Sequence, residues 1–381
     1  MRLSAITLEN FRIWKSLSLA FDGGITALLG GNGSGKTTVL EAAWYAAALG
    51  SHRTSTDDVL VRRGQTAGII RADVTRSVVG GSERTEKIEL EVRTGGRART
   101  KVGGANVPRR RDVLGIMRAA IFAPERVAVV RGDPGDRRRF ADDLLVQLHP
   151  RYHAVIKEYE RALRQRNALL RDVAAGRAHL RGIDAWDEAL AKPGGELAAG
   201  RAKAIAALAP FAGKAYAAVG EGDDLSVVYA PRTAPSEYSA GSAQPDDVSP
   251  DVWSEAIRAS LLERRRDETI RGTTLAGPHR DDIDISIGGL PARTHASQGE
   301  AWMAAVGIVL GAHDAIAAHL GEAPVLLLDD AFNPLDPARR DRLAGALPGG
   351  TQILVAAADP AEIPASLGAM LVDVSRYRRD P

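Results

Sequence analysis

Residues 25–38, read as ITALLGGNGSGKTT, restrict what this chain can be more than any other stretch. The apolar run Ile25–Leu29 precedes Gly30, four further residues and then Gly35-Lys36-Thr37, which is the spacing of a phosphate-binding loop between a buried strand and a helix. Helix formers follow up to Gly50, and the positive end of that helix would face the phosphates. The sequence therefore predicts a nucleotide site; a glycine-rich turn in another kind of α/β protein is the alternative.

The residue types in this loop have separate tasks when a nucleotide binds. Glycines let backbone N–H groups curl around the phosphates, the Lys36 ammonium reaches the outer two phosphates, and the Thr37 hydroxyl binds Mg²⁺. Lys36 is for this reason also a candidate catalytic residue. The predicted nucleotide-binding residues are Gly30, Gly31, Asn32, Gly33, Ser34, Gly35, Lys36, Thr37 and Thr38.

A second motif lies close to the other end of the chain. Residues 325–330, VLLLDD, are four apolar residues that end in two acids, which is the pattern of a Walker B strand. In a parallel sheet the strand ends meet beside the phosphate loop, so Asp329 would hold Mg²⁺ directly or through water. Asp330 is placed to act on the attacking water, as general base or by positioning it. The alternative is a buried strand capped by exposed acids, and the upstream loop makes this interpretation the weaker one.

Composition excludes several classes of protein. The 381 residues are 45% hydrophobic and 26% charged, as in a globular protein. A chain of this length is too long for one ordinary hydrophobic core, so two domains are expected. The chain has no cysteine, which excludes disulfides and thiolate metal sites and agrees with a reducing cytosol. No N-terminal stretch has the pattern of a signal peptide, and no window reaches the roughly 18 apolar residues of a membrane span. We therefore expect no membrane partner.

The patterns along the chain predict a β/α core at both ends and a helical insertion in the middle. Residues 51–107 alternate like strands, with Gly-Gly turns at 80–81, 95–96 and 103–104, and predict a β-meander. Residues from about 136 to 218 have apolar side chains at helical spacing, but proline and glycine break them too often for a long coiled coil. An acidic, potentially disordered linker is expected near 232–251. The predicted domains are 1–135, 136–268 and 269–381.

Ser297-Gln298-Gly299-Glu300 precedes a predicted helix shortly before the Walker B strand. At this position the sequence resembles the ATP-binding-cassette (ABC) ATPases, whose signature motif has the form (L)SGGQ. The resemblance implies that Ser297, Gln298 and Gly299 bind the ATP held by the P-loop of a second copy, so that two heads enclose two ATP molecules. Asp336 resembles the aspartate of the D-loop that follows Walker B in that family.

Further segments make the resemblance more specific. The blocks FAPERVAVVRGDPGDRRRFADDLL, YERALRQRNALL, AGPHRDDIDISIGG and LLLDDAFNPLD are similar, in this order, to blocks of the bacterial RecF family. The resemblance covers nearly the whole chain. It implies an α/β fold, in which a P-loop ABC-type ATPase head carries a β-meander subdomain and an inserted α-helical arm. The implied cofactors are ATP and Mg²⁺.

The same resemblance implies a function. The protein would be an ATP-dependent DNA-binding recombination mediator that dimerises on ATP at gapped DNA and helps to load RecA with RecO and RecR, in DNA repair and replication restart. A weak, DNA-stimulated ATPase activity would reset it. We expect a cytoplasmic location at the nucleoid. The alternatives are a transporter ATPase subunit, or the ATPase of a DNA-tethering or phage-defence nuclease complex.

The chain departs from the family patterns at several positions. Glu300 and Trp302 replace polar or basic residues of the signature, and we expect Trp302 to be a packing residue. The glutamine of the ABC Q-loop is missing, and Glu125 is the candidate for its position. No histidine follows residue 320, so Ala356-Ala357-Ala358 stands where transporters have a switch histidine. With aspartate rather than glutamate at 330, these features predict slow hydrolysis, as in a timed clamp.

Basic and histidine residues allow functional and structural interpretations. His279 and Arg280 either line a nucleotide or dimer interface or only hold their turn in place. His52 and Arg53 are expected to be cations at the end of the P-loop helix. The histidines have no metal-ligand spacing, so no zinc site is predicted.

Arginine clusters suggest the kind of DNA that would bind. Clusters at 109–111, 137–139 and 161–166 favour a track for the DNA backbone, and a solvated surface is the alternative. Aromatic residues make up only 5% of the chain, which favours duplex or gap-junction DNA over stacked single strands.

Overall fold

The computed structural model describes residues 1–77, 82–96, 98–220, 222–241 and 248–377. The chain divides into two compact units, of which the first comprises 1–127, 211–223 and 296–381 and the second comprises 128–210 and 224–295. The predicted inserted domain comprises residues 136–268, whereas the second unit begins at residue 128, lacks residues 211–223 and also includes 269–295. The reason is pairing: the strand at 282–287 pairs with the strand at 225–230, and Arg137 forms a salt bridge with Asp282.

The described residues form fourteen strands and nine α-helices. The strands are β1 (Arg2–Phe11), β2 (Trp14–Ala20), β3 (Ile25–Leu29), β4 (Ala67–Ser77), β5 (Glu83–Arg93), β6 (Thr100–Val102), β7 (Ala105–Asn106), β8 (Ala119–Phe122), β9 (Leu225–Ala230), β10 (Asp282–Ile287), β11 (Leu290–Pro291), β12 (Val325–Asp329), β13 (Ile353–Ala357) and β14 (Met370–Asp373). The helices are α1 (Lys36–Ala48), α2 (Ala128–Arg131), α3 (Pro134–Leu148), α4 (Tyr152–Ala174), α5 (Ile183–Val219), α6 (Pro250–Arg271), α7 (Ala292–His295), α8 (Gln298–Leu320) and α9 (Pro337–Ala346).

The first unit contains the expected β-meander. An antiparallel sheet has the strand order β2-β1-β4-β5-β6-β7. The predicted turns at 95–96 and 103–104 connect β5 to β6 and β6 to β7, with Gly96, Gly103 and Gly104 at positive φ. The predicted turn at 80–81 lies outside the described residues.

A parallel sheet in the same unit positions the two sequence motifs. Its order is β14-β3-β13-β12-β8, so β13 alone separates the strand of the P-loop from the Walker B strand. In register, Asp329 lies beside Ala356, and Ala356 lies beside Leu28. Since all strands run the same way, the P-loop and the two carboxylates leave the sheet at one edge.

Helix α1 is packed between the two sheets. Its alanines 42, 43, 46 and 47 are buried, and the helix contacts β4 as well as β12 and β13. A helix that is buried on most sides needs small side chains rather than one apolar stripe. The sequence predicts that this helix ends at Gly50, but the residue that caps its C-terminus is Leu49. Leu49 adopts a left-handed conformation with a φ angle of 56°, and its N–H donates to the Tyr45 carbonyl at 2.9 Å.

Helix α8 corrects the expectation about apolar segments. Over the described residues it is the one helix long and apolar enough to cross a membrane, but most of it is buried inside the protein. It is a core helix that packs closely against the end of α5. A Cβ at Gly311 would lie 2.5 Å from the Ala212 Cα, and one at Gly307 would lie 3.1 Å from the Tyr216 Cα. Glycine at these positions allows the two helices to approach.

The second unit combines helices α2–α4, α6 and α7 and part of α5 with a small sheet of order β11-β10-β9. Pro150 separates α3 from α4. Contrary to the prediction, α5 continues for 37 residues through Pro193 and Pro210. Close packing against α6 stabilises the first of these sites: a Cβ at Gly195 would lie 2.2 Å from the Ser254 Oγ, which also bonds to the Lys192 carbonyl at 3.4 Å.

The described part of the predicted linker is anchored to this unit. The Arg232 N–H donates to Asp281 Oδ1 at 2.8 Å, and the Tyr238 hydroxyl donates to the Tyr229 carbonyl at 3.1 Å. The Tyr238 ring also packs against Trp253, with 4.9 Å between ring centroids. Residues 242–247 of the expected linker lie outside the described residues.

Several arginines of the basic clusters are internal. Arg137 donates to both carboxylate oxygens of Asp282 at 2.6 and 2.9 Å, and Arg138 donates to the Asp281 carbonyl at 2.7 Å. Arg166 is fully buried. Arg137 and Arg166 are thus buried and ion-paired inside the unit, whereas Arg138 is half-buried.

His279 and Arg280 also have structural contacts. The His279 Nδ1 lies 2.6 Å from the Tyr159 hydroxyl and its Nε2 lies 3.1 Å from the Thr274 carbonyl, to which Arg280 also donates at 2.8 Å. Burial lowers the pKa of His279 to about 4, so the ring is neutral at pH 7. Of the two interpretations, the structure favours the one in which these residues hold their turn in place.

We expect Arg166→Met to destabilise the protein strongly. The Arg166 guanidinium donates to Asp187 at 2.8 Å, to Glu268 at 2.6 Å and to Thr274 at 2.9 Å. Removing it leaves two buried carboxylates unpaired, which costs about 3–5 kcal/mol in the free energy of unfolding. Arg164→Met is the control, because this arginine is exposed two residues away on the same helix. Urea unfolding that gives equal values for both variants would contradict the prediction.

Candidate nucleotide-binding site

The P-loop joins β3 to α1 and has the geometry of a phosphate cradle. Gly30, Gly33 and Gly35 have φ angles of 147°, 76° and 103°, which other residues rarely adopt. At Gly35 space also requires glycine, because a Cβ would lie 2.6 Å from the Trp14 ring. Since Gly35 has no side chain to cap α1, the first N–H groups of the helix can receive an anion.

Lys36 lies over this loop. Its Nζ donates to the Gly30 carbonyl at 2.6 Å and to the Gly31 carbonyl at 3.3 Å, and the residue is buried. Ser34 has a buried hydroxyl without a hydrogen-bond partner among the described residues. A phosphate group would satisfy both side chains, because it accepts hydrogen bonds and carries negative charge.

Thr37 and the Walker B strand meet directly. The Thr37 hydroxyl donates to Asp329 Oδ1 at 3.0 Å, although the two residues are 292 positions apart in the sequence. Two adjacent ligands of an octahedral Mg²⁺, each about 2.1 Å from the ion, are about 3 Å apart. The pair therefore fits the two protein ligands that the sequence predicted for Mg²⁺, with the phosphates and water left to complete the coordination.

The two Walker B carboxylates have raised pKa values. Burial above all, together with the neighbouring charges of Asp330 and Glu125, raises the pKa of Asp329 to about 7, although the Thr37 hydrogen bond and the charge of Arg53 act in the opposite direction. Burial also raises the pKa of Asp330, with Lys36 acting in the opposite direction. Oxygen ligands in such surroundings favour a hard divalent cation, whose charge would return both groups to the ionised form.

Asp330 has an unusual backbone conformation. Its φ angle is 49°, while its N–H still donates to the Ala356 carbonyl at 3.1 Å and so extends the pairing of β12 with β13. The carboxylate Oδ1 is buried and has no hydrogen-bond partner among the described residues. Strained, unsatisfied groups of this kind concentrate at functional sites.

Ion pairs behind the P-loop were missed by the sequence analysis. The fully buried Glu41 of α1 accepts two hydrogen bonds from Arg12, at 2.9 and 2.7 Å. Arg53 lies 3.9 Å from Glu41 and 3.4 Å from Glu125, which follows β8. In the sequence, only the presence of Glu41 within the predicted helix and of Arg53 after it could have indicated these ion pairs. Which residues pair with them depends on the tertiary structure.

His52 does not have the role we expected. Both nitrogens of its buried ring lack hydrogen-bond partners among the described residues. Burial lowers its pKa to about 3, and the charges of Arg126, Arg53 and Arg12 act in the same direction. The ring is neutral at pH 7, so it is not a cation at the end of α1. Arg53 is bound by carboxylates instead.

The signature residues begin α8. Ser297 is its N-cap: the Ser297 hydroxyl accepts from the Glu300 N–H at 3.2 Å, and Glu300 accepts from the Ser297 N–H at 2.7 Å. Ser297 and Gln298 are exposed. A Cβ at Gly299 would lie 3.3 Å from the Arg339 guanidinium. This arrangement leaves the start of α8 open towards solvent.

Trp302 is a packing residue, as predicted, and it also connects two motifs. Its ring meets Phe122 edge-on at 5.1 Å, and its Nε1 donates to the Ala331 carbonyl at 3.2 Å. Ala331 follows the Walker B acids, so Trp302 ties the first turn of the signature helix to that strand. Asp336, the D-loop candidate, is the N-cap of α9 and accepts from the Arg339 N–H at 2.9 Å.

We expect Asp329→Asn to change how the stability of the nucleotide-free protein depends on pH. With a pKa raised from 3.8 to about 7, native Asp329 keeps a proton that the unfolded chain has lost, so stability falls as pH rises between these values. The variant has no carboxylate at this position, so its stability does not fall in this way. The difference between the unfolding temperatures of the variant and the parent should therefore shift in favour of the variant from pH 5 to pH 8. Asp58→Asn, an exposed carboxylate, is the control. A difference for Asp329→Asn that is constant with pH would contradict the prediction.

Comparison with known proteins identifies the relatives of this chain. The chain matches the family model for the RecF/RecN/SMC N terminal domain over residues 2–376. The DNA replication and repair protein RecF of Frankia alni is 44% identical over 376 residues, which are 96% of each chain. That of Streptomyces avermitilis is 41% identical over 382 residues, and the match covers 98% of each chain.

Solved structures extend the comparison to the fold. Structures of the recombination mediator protein RecF-ATPrS and RecF-ATP in the RecFOR pathway have a TM-score of 0.83 and 25% identity, covering 95% of this chain and 94% and 93% of theirs. The SMC head bound to the C-winged helix domain of ScpA has a TM-score of 0.51 at 15% identity, which concerns the fold alone. The chain therefore belongs to the RecF family and has the fold of an ABC-type ATPase head.

Proposed function

We propose that this protein is an ATP-dependent, DNA-binding recombination mediator of DNA repair and replication. The meeting of Lys36, Thr37, Asp329 and Asp330 at one edge of the parallel sheet is the observation that supports ATP as its ligand. The relatives named RecF support the cellular role, and the structures of RecF-ATP support the nucleotide. RecO and RecR are the proposed protein partners, in the loading of RecA at gapped DNA.

Within one head, the phosphates occupy the loop Gly30–Thr38. Lys36 leaves the carbonyls of Gly30 and Gly31 for the outer two phosphates, and the N-terminus of α1 faces them. Thr37 and Asp329 bind Mg²⁺, which neutralises phosphate charge when bound. Asp330 then orients the attacking water or takes its proton; burial raises its pKa, which makes the carboxylate a stronger base.

The site is completed by a second copy of the chain. Ser297, Gln298 and Gly299 bind the γ-phosphate of ATP held by the partner. Ser297 and Gln298 are exposed at the start of α8, where the helix dipole attracts an anion, and this exposure supports the role. The homodimer consequently forms only with ATP, and hydrolysis releases it.

Hydrolysis is slow and resets the protein after it has acted. Aspartate at 330 is one methylene shorter than glutamate, and Ala356-Ala357-Ala358 supplies no side chain that could act on the γ-phosphate. The Ala358 N–H instead donates to Glu362 at 3.1 Å. Glu125 takes the position of the Q-loop residue, since it follows β8 and its charge acts on both aspartates. DNA binding stimulates the reaction.

The DNA ligand is a duplex or a gap junction, bound through its backbone. Arg137 and Arg166 are excluded from this role by burial and ion pairing, so exposed arginines elsewhere carry it. Single strands bind less well, because aromatic residues available for stacking are few. The protein acts in the cytoplasm, at the nucleoid.

We expect Asp330→Asn to keep ATP binding and to trap the dimer. Asparagine tolerates the left-handed backbone of this position, but it cannot accept the proton of water. ATP turnover should fall by about 100-fold or more, while sedimentation with ATP and Mg²⁺ shows a lasting dimer. Lys36→Ala, which weakens phosphate binding, is the control that should stay monomeric. A monomeric Asp330→Asn protein saturated with ATP would refute the two-head site.

We expect Ser297→Arg to bind ATP as a monomer. The arginine places bulk and charge where the partner's nucleotide must enter, although loss of the N-cap also costs about 1 kcal/mol in stability. Nucleotide affinity should stay within about twofold of the parent, whereas ATP should no longer shift the sedimentation coefficient. Ser16→Arg, at an exposed position of β2, is the matched control. Normal dimerisation of the folded Ser297→Arg protein would exclude the signature from the interface.

A further inference from the structure

The exposed face of α4 carries a stripe of basic residues. Lys157, Arg161, Arg164 and Arg171 are all exposed, and they follow one another at intervals of four, three and seven residues. Residues at these intervals lie on one side of an α-helix. Ala168 occupies the remaining position of the repeat, and Glu160 is the acidic residue that pairs with members of the stripe. We call these four residues the α4 basic stripe.

The face of α4 opposite the stripe is buried. Val155, Tyr159, Ala162, Arg166 and Leu170 are the buried residues of its central and C-terminal turns. Arg166, although adjacent to the stripe in sequence, is enclosed by Asp187 and Glu268 and neutralised by them. Among the arginines of α4, Arg166 is therefore buried in the unit, whereas those of the stripe face solvent.

Much of the positive charge of the stripe is not neutralised. Lys157 and Arg164 share one carboxylate, Glu160, at 2.9 and 4.0 Å. In the part of the chain that the structure describes, neither Arg161 nor Arg171 has a carboxylate within salt-bridge distance. Four cations therefore face a single partner acid, and two of them are available for an external anion.

We propose that the α4 basic stripe binds the phosphate backbone of duplex DNA, an inference that rests on the DNA binding of the proposed function. The fourteen-residue interval from Lys157 to Arg171 corresponds to about 21 Å along the helix axis. One strand of a duplex presents a phosphate about every 3.4 Å of its axis, so several phosphates lie within reach.

The chemistry of the stripe favours DNA over a protein partner. Protein interfaces depend on buried aromatic or apolar anchors, and the stripe has only Ala168 in that class. Binding of single strands would need aromatic rings for base stacking, which the stripe does not have. Positive charge without base-reading or stacking groups fits a backbone contact of low sequence preference.

The test measures duplex binding of the full-length protein with ATP and Mg²⁺, using a 30-base-pair duplex at several salt concentrations. The test variant is Arg161→Ala combined with Arg171→Ala. The matched control is Arg264→Ala combined with Arg266→Ala, two exposed arginines of α6 in the same unit. Thermal unfolding and ATP-dependent sedimentation establish that both variants are folded.

We expect the test variant to lose affinity by about 10- to 100-fold at 0.1 M salt. Each lost phosphate contact reduces the slope of log affinity against log salt by about 0.9, so the slope should fall by about 1.8. The control should keep the parent's slope. Binding of a single strand of the same length should change less than binding of the duplex.

Other outcomes overturn the inference. An unchanged slope for the test variant, or an equal loss in the control, excludes the α4 basic stripe as a specific DNA surface. A variant that keeps duplex binding but loses RecR binding would assign the stripe to a protein partner. If the parent protein itself binds neither duplex nor single strands, the proposed function fails instead.

Discussion

The hydrogen bond between Thr37 and Asp329 is the interaction on which the organisation of the head depends. It joins residues 292 positions apart, one at the start of α1 and one at the end of β12. A second long-range contact supports it: the buried Gln352 side chain bonds to the Leu3 N–H at 2.7 Å and to the Leu3 carbonyl at 2.8 Å. Both ends of the chain must therefore fold together before a nucleotide site exists.

Buried charge has two different uses in this molecule. In the second unit, Arg137, Arg166 and Arg201 are neutralised by carboxylates in close contact, so their charge serves the structure. In the nucleotide site, Asp329 and Asp330 are close to each other and have no cation bound to them among the described residues. An arrangement of this kind is unfavourable by itself and becomes favourable when a ligand brings positive charge.

The sequence predicted the local motifs better than it predicted the packing of the elements that carry them. The strands at 25–29 and 325–329 and the helices after Lys36 and Ser297 all occur as predicted, because local spacing and capping residues specify them. Errors arose where packing overrides local preference. Helix α5 continues through Pro193, where α6 packs closely against it, and His52 is neutral because it is buried.

The sequence by itself determined the family, the P-loop, the Walker B strand and the order of the elements, since each depends on residues that are close in the chain. Only the tertiary structure decided which charges are available. Arg166 and Arg164 are two residues apart, but a helix turns by about 100° per residue, so one side chain enters the core and the other faces solvent. The P-loop lysine and the Walker B carboxylates are far apart in the sequence. They meet only because the parallel strands that carry them place their ends at one edge of the sheet.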